Sequence, residues 1–182
     1  MMHLSNFKKY YFIDEFNPNH LKILDKNISL IWRSKHKPNQ KEIIYELAKF
    51  CKKNKRSLFI SNNIKLAIKL NLDGVYISAS NKNFYFNCYK FKKNFKIIGS
   101  GHNLKEVNIK KKQRVKEIFI SPIFKYKNKH PLGIYKSRLF FEDKSYQKVA
   151  LGGVDNKNIK LIKLTKFKGI AGISYFKKKG PK

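Results

Sequence analysis

The chain has 182 residues, 42% of them hydrophobic, enough for one domain over 1–182 with its own core; this excludes disorder by composition and leaves too little chain for two ordinary domains. Its formal net charge is +31 and its pI about 10.1, a balance that by itself points to nucleic acid or another anionic surface. Against that stand the arginines, which are only Arg33, Arg56, Arg114 and Arg138, because dedicated nucleic-acid readers rely on arginine forks.

In chain order, Tyr11-Phe12-Ile13 is the first strand-like run, and room for about two turns of helix follows before the next. Ile28-Ser29-Leu30-Ile31-Trp32 is the second run. Ile43, Ile44, Leu47, Ala48 and Cys51 then keep a period near 3.6, with Gln40 and Glu42 near the start, which predicts a helix. Leu58-Phe59-Ile60 is a third strand, and Ile64, Ala67, Ile68 and Leu70 form a shorter amphipathic helix. Gly74-Val75-Tyr76-Ile77 and Ile97-Ile98-Gly99 are the fourth and fifth runs. Between them, segment 84–95 is aromatic and basic without helical period. It reads as aromatics packed where a helix has been shortened, with lysines facing water. Leu104 and Val107 open a helix capped by Asn103. Ile118-Phe119-Ile120 and Val149-Ala150-Leu151 are strands six and seven. Ile159, Leu161, Ile162 and Leu164 are helical, and Ile170-Ala171-Gly172-Ile173 is the eighth strand.

Continuously apolar strands alternating with helices predict parallel βα units buried on both faces. Eight of them predict a closed, compact α/β (β/α)8 TIM barrel. At this length several helices must be shortened or missing. The fallback is an open Rossmann-like sheet, but no GxGxxG loop follows the first strand.

Cys51 and Cys88 are the only cysteines and have no zinc or CxxC spacing, so two reduced thiols are expected. No apolar run reaches membrane-spanning length. Residues 1–14 lack the long apolar stretch of a secretory leader, which makes the cytoplasm the expected location.

In such a barrel the active site sits at the carboxyl ends of the strands. The polar residues there include Asp14, Arg33, Lys35, Asn62, Asn63, Ser78, Asn81, Ser100, His102, Ser121, Gly152, Gly153 and Ser174. Cations, amides, hydroxyls and glycines dominate, so the ring suits an anionic ligand better than paired-carboxylate chemistry. Gly152-Gly153 after strand seven and Ser174 after strand eight match the usual place of a phosphate site in these barrels.

These motifs, in order, resemble the thiamine-phosphate synthase/TenI-like family. Trp32-Arg33-Ser34-Lys35 looks like its Arg-x-Lys, and Phe59-Ile60-Ser61-Asn62-Asn63 like its Asn-Asp loop. Leu72-Asp73-Gly74-Val75-Tyr76-Ile77 looks like its Ala-Asp-Gly-Val-His-Leu strand. Ser100-Gly101-His102 is similar to its Ser-x-His. Ser121-Pro122-Ile123-Phe124, with Lys129 downstream, is similar to its Gly-Pro-Ile/Val-Phe. Ala150-Leu151-Gly152-Gly153-Val154, with Asn158 following, is similar to its Ala-Ile-Gly-Gly-Ile, and Gly169-Ile170-Ala171-Gly172-Ile173-Ser174 to its last strand.

The resemblance implies a triosephosphate-isomerase-type barrel. It also implies a synthase that joins hydroxymethylpyrimidine diphosphate to a thiazole phosphate and releases pyrophosphate, using Mg²⁺ and cationic side chains. By the same resemblance Arg33, Lys35, Asn62, Ser100 and Lys129 hold pyrophosphate. Gly152, Gly153 and Ser174 hold the thiazole phosphate. The family's two metal-binding aspartates fall at Asn63 and Asn81, where neutral amides are poorer Mg²⁺ ligands. Its Thr-x-Thr is Tyr126 and Asn128 here, and its strand-four His is Tyr76. The expected partners are phosphorylated small molecules. A TenI-like protein that binds or isomerises a thiazole phosphate, with His102 as its base, is the second reading. A basic nucleic-acid-binding protein is the third.

Overall fold

The structure is a computed structural model and describes residues 7–33, 40–126 and 130–178. Eight parallel strands close into a barrel in sequence order. They are β1 (Lys8–Ile13), β2 (Ile28–Trp32), β3 (Leu58–Ser61), β4 (Gly74–Ile77), β5 (Lys96–Gly101), β6 (Glu117–Ile120), β7 (Gln147–Leu151) and β8 (Gly169–Gly172). Strand β1 pairs with β2 on one side and with β8 on the other, where Lys9 lies opposite Ile170. That last pairing decides the closed barrel over the open sheet. Around it lie α1 (Pro18–Ile23), α2 (Gln40–Lys53), α3 (Ile64–Lys69), α4 (Leu104–Lys112), α5 (Gly133–Ser137), α6 (Ile159–Lys163) and α7 (Ser174–Lys177).

The helices are trimmed as the chain length demands. Helices α5, α6 and α7 have 5, 5 and 4 residues, and a 3₁₀ turn, Tyr85–Cys88, stands in place of a helix between β4 and β5. In that segment Phe91 and Phe95 stack with centroids 4.9 Å apart and pack with Tyr89 against the core. The aromatics therefore substitute for the missing helix by covering the sheet.

The strands are apolar throughout because each has two buried faces. One set, including Tyr11, Ile13, Leu30, Trp32, Ile60 and Val75, packs under the helices. The alternate set, Tyr10, Phe12, Ile31, Phe59, Tyr76, Ile98, Phe119, Val149 and Ala171, fills the barrel interior. Tyr10, Phe12, Tyr76 and Phe119 form the aromatic centre of that interior, with ring centroids 4.9–6.0 Å apart in the contacting pairs.

Local chemistry sets the helix ends. Asn17, Asn63 and Asn103 cap α1, α3 and α4 by accepting from the backbone N–H groups of His20, Leu66 and Glu106. At the other ends Lys55, Asn71 and Arg114 adopt positive φ. The next N–H in each case reaches back five residues, as in Arg56 to Cys51, Leu72 to Ala67 and Val115 to Lys110. This is the Schellman closure usually given to glycine.

The base of the barrel, at the amino ends of the strands, is closed by a polar plug. Glu117 accepts from Lys8 Nζ at 2.6 Å and from the Tyr10 hydroxyl at 2.5 Å. Cys51 is buried and Cys88 exposed, both as free thiols. Among the described residues no helix is long and apolar enough to cross a membrane.

Candidate active site

The inward face of β2, β4, β5 and β6 continues past the apolar interior by one more step of the period-two pattern into the cavity. After Ile31 comes Arg33, after Tyr76 comes Ser78, after Ile98 comes Ser100, and after Phe119 comes Ser121. All four line a cavity of about 480 Å³ at the carboxyl ends of the strands, within the usual size range of small-molecule sites.

Arg33 follows β2, and its backbone N–H is fixed to Ile13 O at 2.8 Å. Its guanidinium lies 5.8 Å from the centroid of the Phe12 ring, which holds the cation at the cavity without a carboxylate partner. Ser100 is 3% exposed, and its Oγ accepts from the Tyr76 hydroxyl at 2.7 Å. Because that lone pair is used, the Ser100 proton is free to donate into the cavity. Burial raises the Tyr76 hydroxyl above its ordinary pKa, so Tyr76 stays a donor at neutral pH.

His102 is placed by the start of α4. Its backbone N–H donates to Glu106 Oε2 at 2.7 Å, while Glu106 N–H donates to Asn103 Oδ1 at 2.9 Å. This is a capping box shifted by one residue. The ring Nδ1 lies 2.7 Å from Ser121 O. A carbonyl can only accept, so Nδ1 carries the proton and Nε2 is the basic nitrogen of the neutral ring.

Gly152, Gly153 and Ser174, after β7 and β8, also line the cavity. The glycines have φ of +89° and +68°. A Cβ on Gly153 would stand 2.6 Å from Lys125 O, and one on Gly152 would stand 2.9 Å from Pro122 Cβ. Only glycine fits both the conformation and the space. Asn158 Nδ2 donates to Gly153 O at 2.7 Å and pins the turn. The two glycines thus let the turn after β7 pack closely on the segment after β6, and both turns line the cavity.

The structure thus brings Arg33, Ser100, His102, Gly152, Gly153 and Ser174 to one cavity. Lys35 and Lys129 lie outside the described residues. Asn62, Asn63 and Asn81 do not line the cavity. Asn62, at φ +57°, accepts from Ser78 N–H at 2.9 Å and from Asn81 Nδ2 at 3.2 Å, and donates to Ser78 Oγ at 3.0 Å. It braces the loop after β4. Asp14 is exposed and also lies off the cavity.

The expected Mg²⁺ positions do not suit the ion. Asn63 Oδ1 is spent on the N–H of Leu66 at 3.0 Å, and Asn81 Oδ1 on the N–H of Asn83 at 3.0 Å. Asn81 Nδ2 turns toward Asn62, and the backbone carbonyl of Asn81 accepts from the Lys110 ammonium at 2.5 Å. Neutral, already bonded amides beside an ammonium group are a poor donor set for a hard dication. Among the described residues no group of three His, Cys, Asp or Glu side chains comes together.

Sequence reasoning did not assign a role to four cavity residues: Phe12, Tyr76, Glu106 and Tyr175. The period-two inward pattern is the signal that identifies Phe12 and Tyr76. The capping-box spacing from Asn103 identifies Glu106. Nothing local marks Tyr175.

Comparison with known proteins identifies the family. The family model described as thiamine monophosphate synthase matches residues 21–176. The Aquifex aeolicus (strain VF5) protein named "Putative thiamine-phosphate synthase 2" is 29% identical over 85% of this chain and 86% of its own. A thiamine-phosphate synthase of Prochlorococcus marinus (strain AS9601) is 27% identical over 71% of this chain, which spans only 38% of that longer protein. Among solved structures, a thiamine phosphate pyrophosphorylase from Pyrococcus furiosus superposes with a TM-score of 0.76 at 20% identity. That match covers 94% of this chain and 88% of the other, a likeness of fold. With the family model spanning most of the barrel, this chain belongs to the thiamine monophosphate synthase/TenI family.

Proposed function

We propose that the chain is a thiamine-phosphate synthase that joins hydroxymethylpyrimidine diphosphate to a thiazole phosphate and releases pyrophosphate. The observation that carries this reading is that two groups of residues suited to anions line one cavity. Arg33 and Ser100 come from the ends of β2 and β5, and Gly152, Gly153 and Ser174 from those of β7 and β8. A ligand pair bearing a diphosphate and a monophosphate needs both.

In the reaction the bond from the pyrimidine methylene carbon to the diphosphate oxygen breaks, and the electron pair leaves with pyrophosphate. A bond to the thiazole nitrogen forms at the same carbon. Negative charge grows on the leaving oxygen, so donors fixed in place before the reaction lower the barrier. Arg33 supplies a permanent cation and Ser100 a hydroxyl proton that the bond from Tyr76 leaves free. Lys35 and Lys129 are the further cations that the family pattern assigns to pyrophosphate. The glycine turn after β7 anchors the thiazole phosphate and so sets the direction of attack. Departure of pyrophosphate rests on these side chains, since Asn63 and Asn81 do not suit Mg²⁺.

A second reading is favoured by His102, whose basic Nε2 is fixed by the Ser121 carbonyl. A TenI-like protein that binds or isomerises thiazole phosphate would need that base and the glycine turn, without the pyrophosphate half. The protein is incubated with both substrates, with and without Mg²⁺, and thiamine phosphate is measured. Product above the enzyme-free control supports the synthase. No product, together with a melting temperature raised by thiazole phosphate, supports the second reading.

A further inference from the structure

In a βα barrel each helix ends where the next strand begins, so helix carboxyl ends and strand amino ends share the base. Lysines scattered in the sequence are collected there. Between the ends of α2 and α3, below β3 and β4, lies a groove of about 580 Å³, at the opposite end of the barrel from the cavity just described. Lys49, Lys52, Lys55, Lys69 and Arg56 line it, against the single carboxylate of Asp73.

None of the five cations forms an ion pair among the described residues; the Asp25 carboxylate acts on Arg56 but is itself paired with Lys9. Arg56 is 4% exposed, and its terminal nitrogens donate to four carbonyls, those of Asp25, Ile28, Leu21 and Leu24, at 2.8–3.1 Å. Its Nε is buried without any partner. Carbonyl dipoles orient this guanidinium but leave its charge in place. Burial accordingly presses the Arg56 pKa below its ordinary value. Asp73 is occupied in accepting the N–H of Leu58 at 3.0 Å. The four lysines are exposed and make no ion pair among the described residues.

A simpler account is that last-turn lysines offset the helix dipoles. Two helix ends carry roughly half a negative charge each, about one charge in all. Five cations less one carboxylate leave four positive charges, so most of the field is uncompensated after that offset. Lys55 also occupies a left-handed position, φ +50°, where glycine is the usual residue.

We propose that this groove is a second anion site, which takes a ligand carrying several phosphate charges: a condensed phosphate chain, free or on a nucleotide. The charge matches a chain of two or three phosphates, and the volume exceeds what one phosphate fills. Lysine ammonium groups bind phosphate as mobile point charges. The proposal is independent of the reaction at the other end of the barrel.

The test is calorimetric titration of the whole protein with inorganic tripolyphosphate and, separately, ATP. The wild type is compared with the triple variant Lys52→Gln, Lys55→Gln, Lys69→Gln, with Arg33→Ala, and with a control triple variant at helix amino ends, Lys41→Gln, Lys105→Gln, Lys160→Gln. The base variant is expected to weaken tripolyphosphate binding at least tenfold. Arg33→Ala and the control should keep the base site, and the affinity should fall with added salt. Tighter binding of ATP than of tripolyphosphate identifies the nucleotide form, and the reverse order identifies the free chain. Unchanged binding in the base variant, or an equal loss in the control, overturns the site. In the latter case net charge alone explains the affinity. Synthase turnover, measured on the same variants, reports separately on the other end.

Discussion

The hydroxyl of Tyr76 donates to Ser100 Oγ at 2.7 Å inside the barrel wall, and this bond leaves the Ser100 proton for another acceptor. Replacing Tyr76 with Phe keeps the ring packing against Phe12 and Phe119 and removes only the donor. Stability should fall by about 1 kcal/mol. In the proposed synthase reaction kcat/KM should fall several-fold, and Ser100→Ala should cost little more in the Tyr76→Phe background than Tyr76→Phe alone. A double-mutant cycle on kcat/KM measures this coupling. Additive losses would mean that Tyr76 does not act through Ser100.

Arg33 is exposed, and its guanidinium contacts the Phe12 ring without an ion-pair partner among the described residues. Arg33→Ala should therefore leave the melting temperature nearly unchanged. It should lower kcat/KM by about 10²-fold or more, the usual effect of removing a donor to a developing anion. Arg33→Lys should recover part of the loss. Unchanged turnover in Arg33→Ala removes this residue from the site.

Gly153→Ala places a Cβ 2.6 Å from Lys125 O at a φ of +68°. Backbone must move to admit it. The expected cost is roughly 1–3 kcal/mol of stability, and the thermal shift given by thiazole phosphate should disappear. Thermal unfolding with and without that ligand checks both effects.

Lys110 is fully buried, with Nζ donating to Asn81 O at 2.5 Å and to Gln113 Oε1 at 2.8 Å. Burial pulls its pKa from 10.5 down to about 8, against the opposing pull of Glu106. The folded value is the lower one, so between pH 8 and 10.5 the unfolded chain holds the proton more tightly than the folded chain does. Stability from this group therefore rises with pH across that window and is flat below it. Urea unfolding at pH 7, 8.5 and 10 should show the wild type gaining on Lys110→Met as pH rises. A constant difference would mean that the Lys110 proton is held equally in both states.

Arg114 closes α4 at φ +58° with its N–H on Lys111 O. A side chain in this left-handed position costs about 1 kcal/mol, and glycine carries no such penalty. Arg114→Gly should raise stability by at most about 0.5 kcal/mol, after the extra entropy of glycine is set against the gain. Denaturant midpoints at constant slope measure it.

Much of the fold can be read locally. Ile43, Ile44, Leu47 and Cys51 announce α2 by their period, and Asn103 announces α4 by capping it. The eight apolar runs correspond to the eight strands, because a strand buried on both faces has no polar side to hide. Arg33, Ser100, His102, Gly152, Gly153 and Ser174 are legible as site candidates by their place after those runs. Asn62 and Asn63 follow a run equally well yet lie off the cavity. Their side chains are taken by the loop after β4 and by the α3 cap. A residue's place after a strand says that it is near the mouth, not what its side chain has already bonded.

The sequence by itself determined the strand count and the helix phases, because each follows from patterns within about ten residues. Only the tertiary structure decided that β8 returns to β1 and closes the barrel, and that Tyr76 serves Ser100 across 24 positions. The same holds for the lysines around Arg56. They are dispersed along the chain and converge only when helix ends and strand starts are brought to one end of the barrel. Such pairings depend on closure of the sheet, a long-range event that no local pattern encodes.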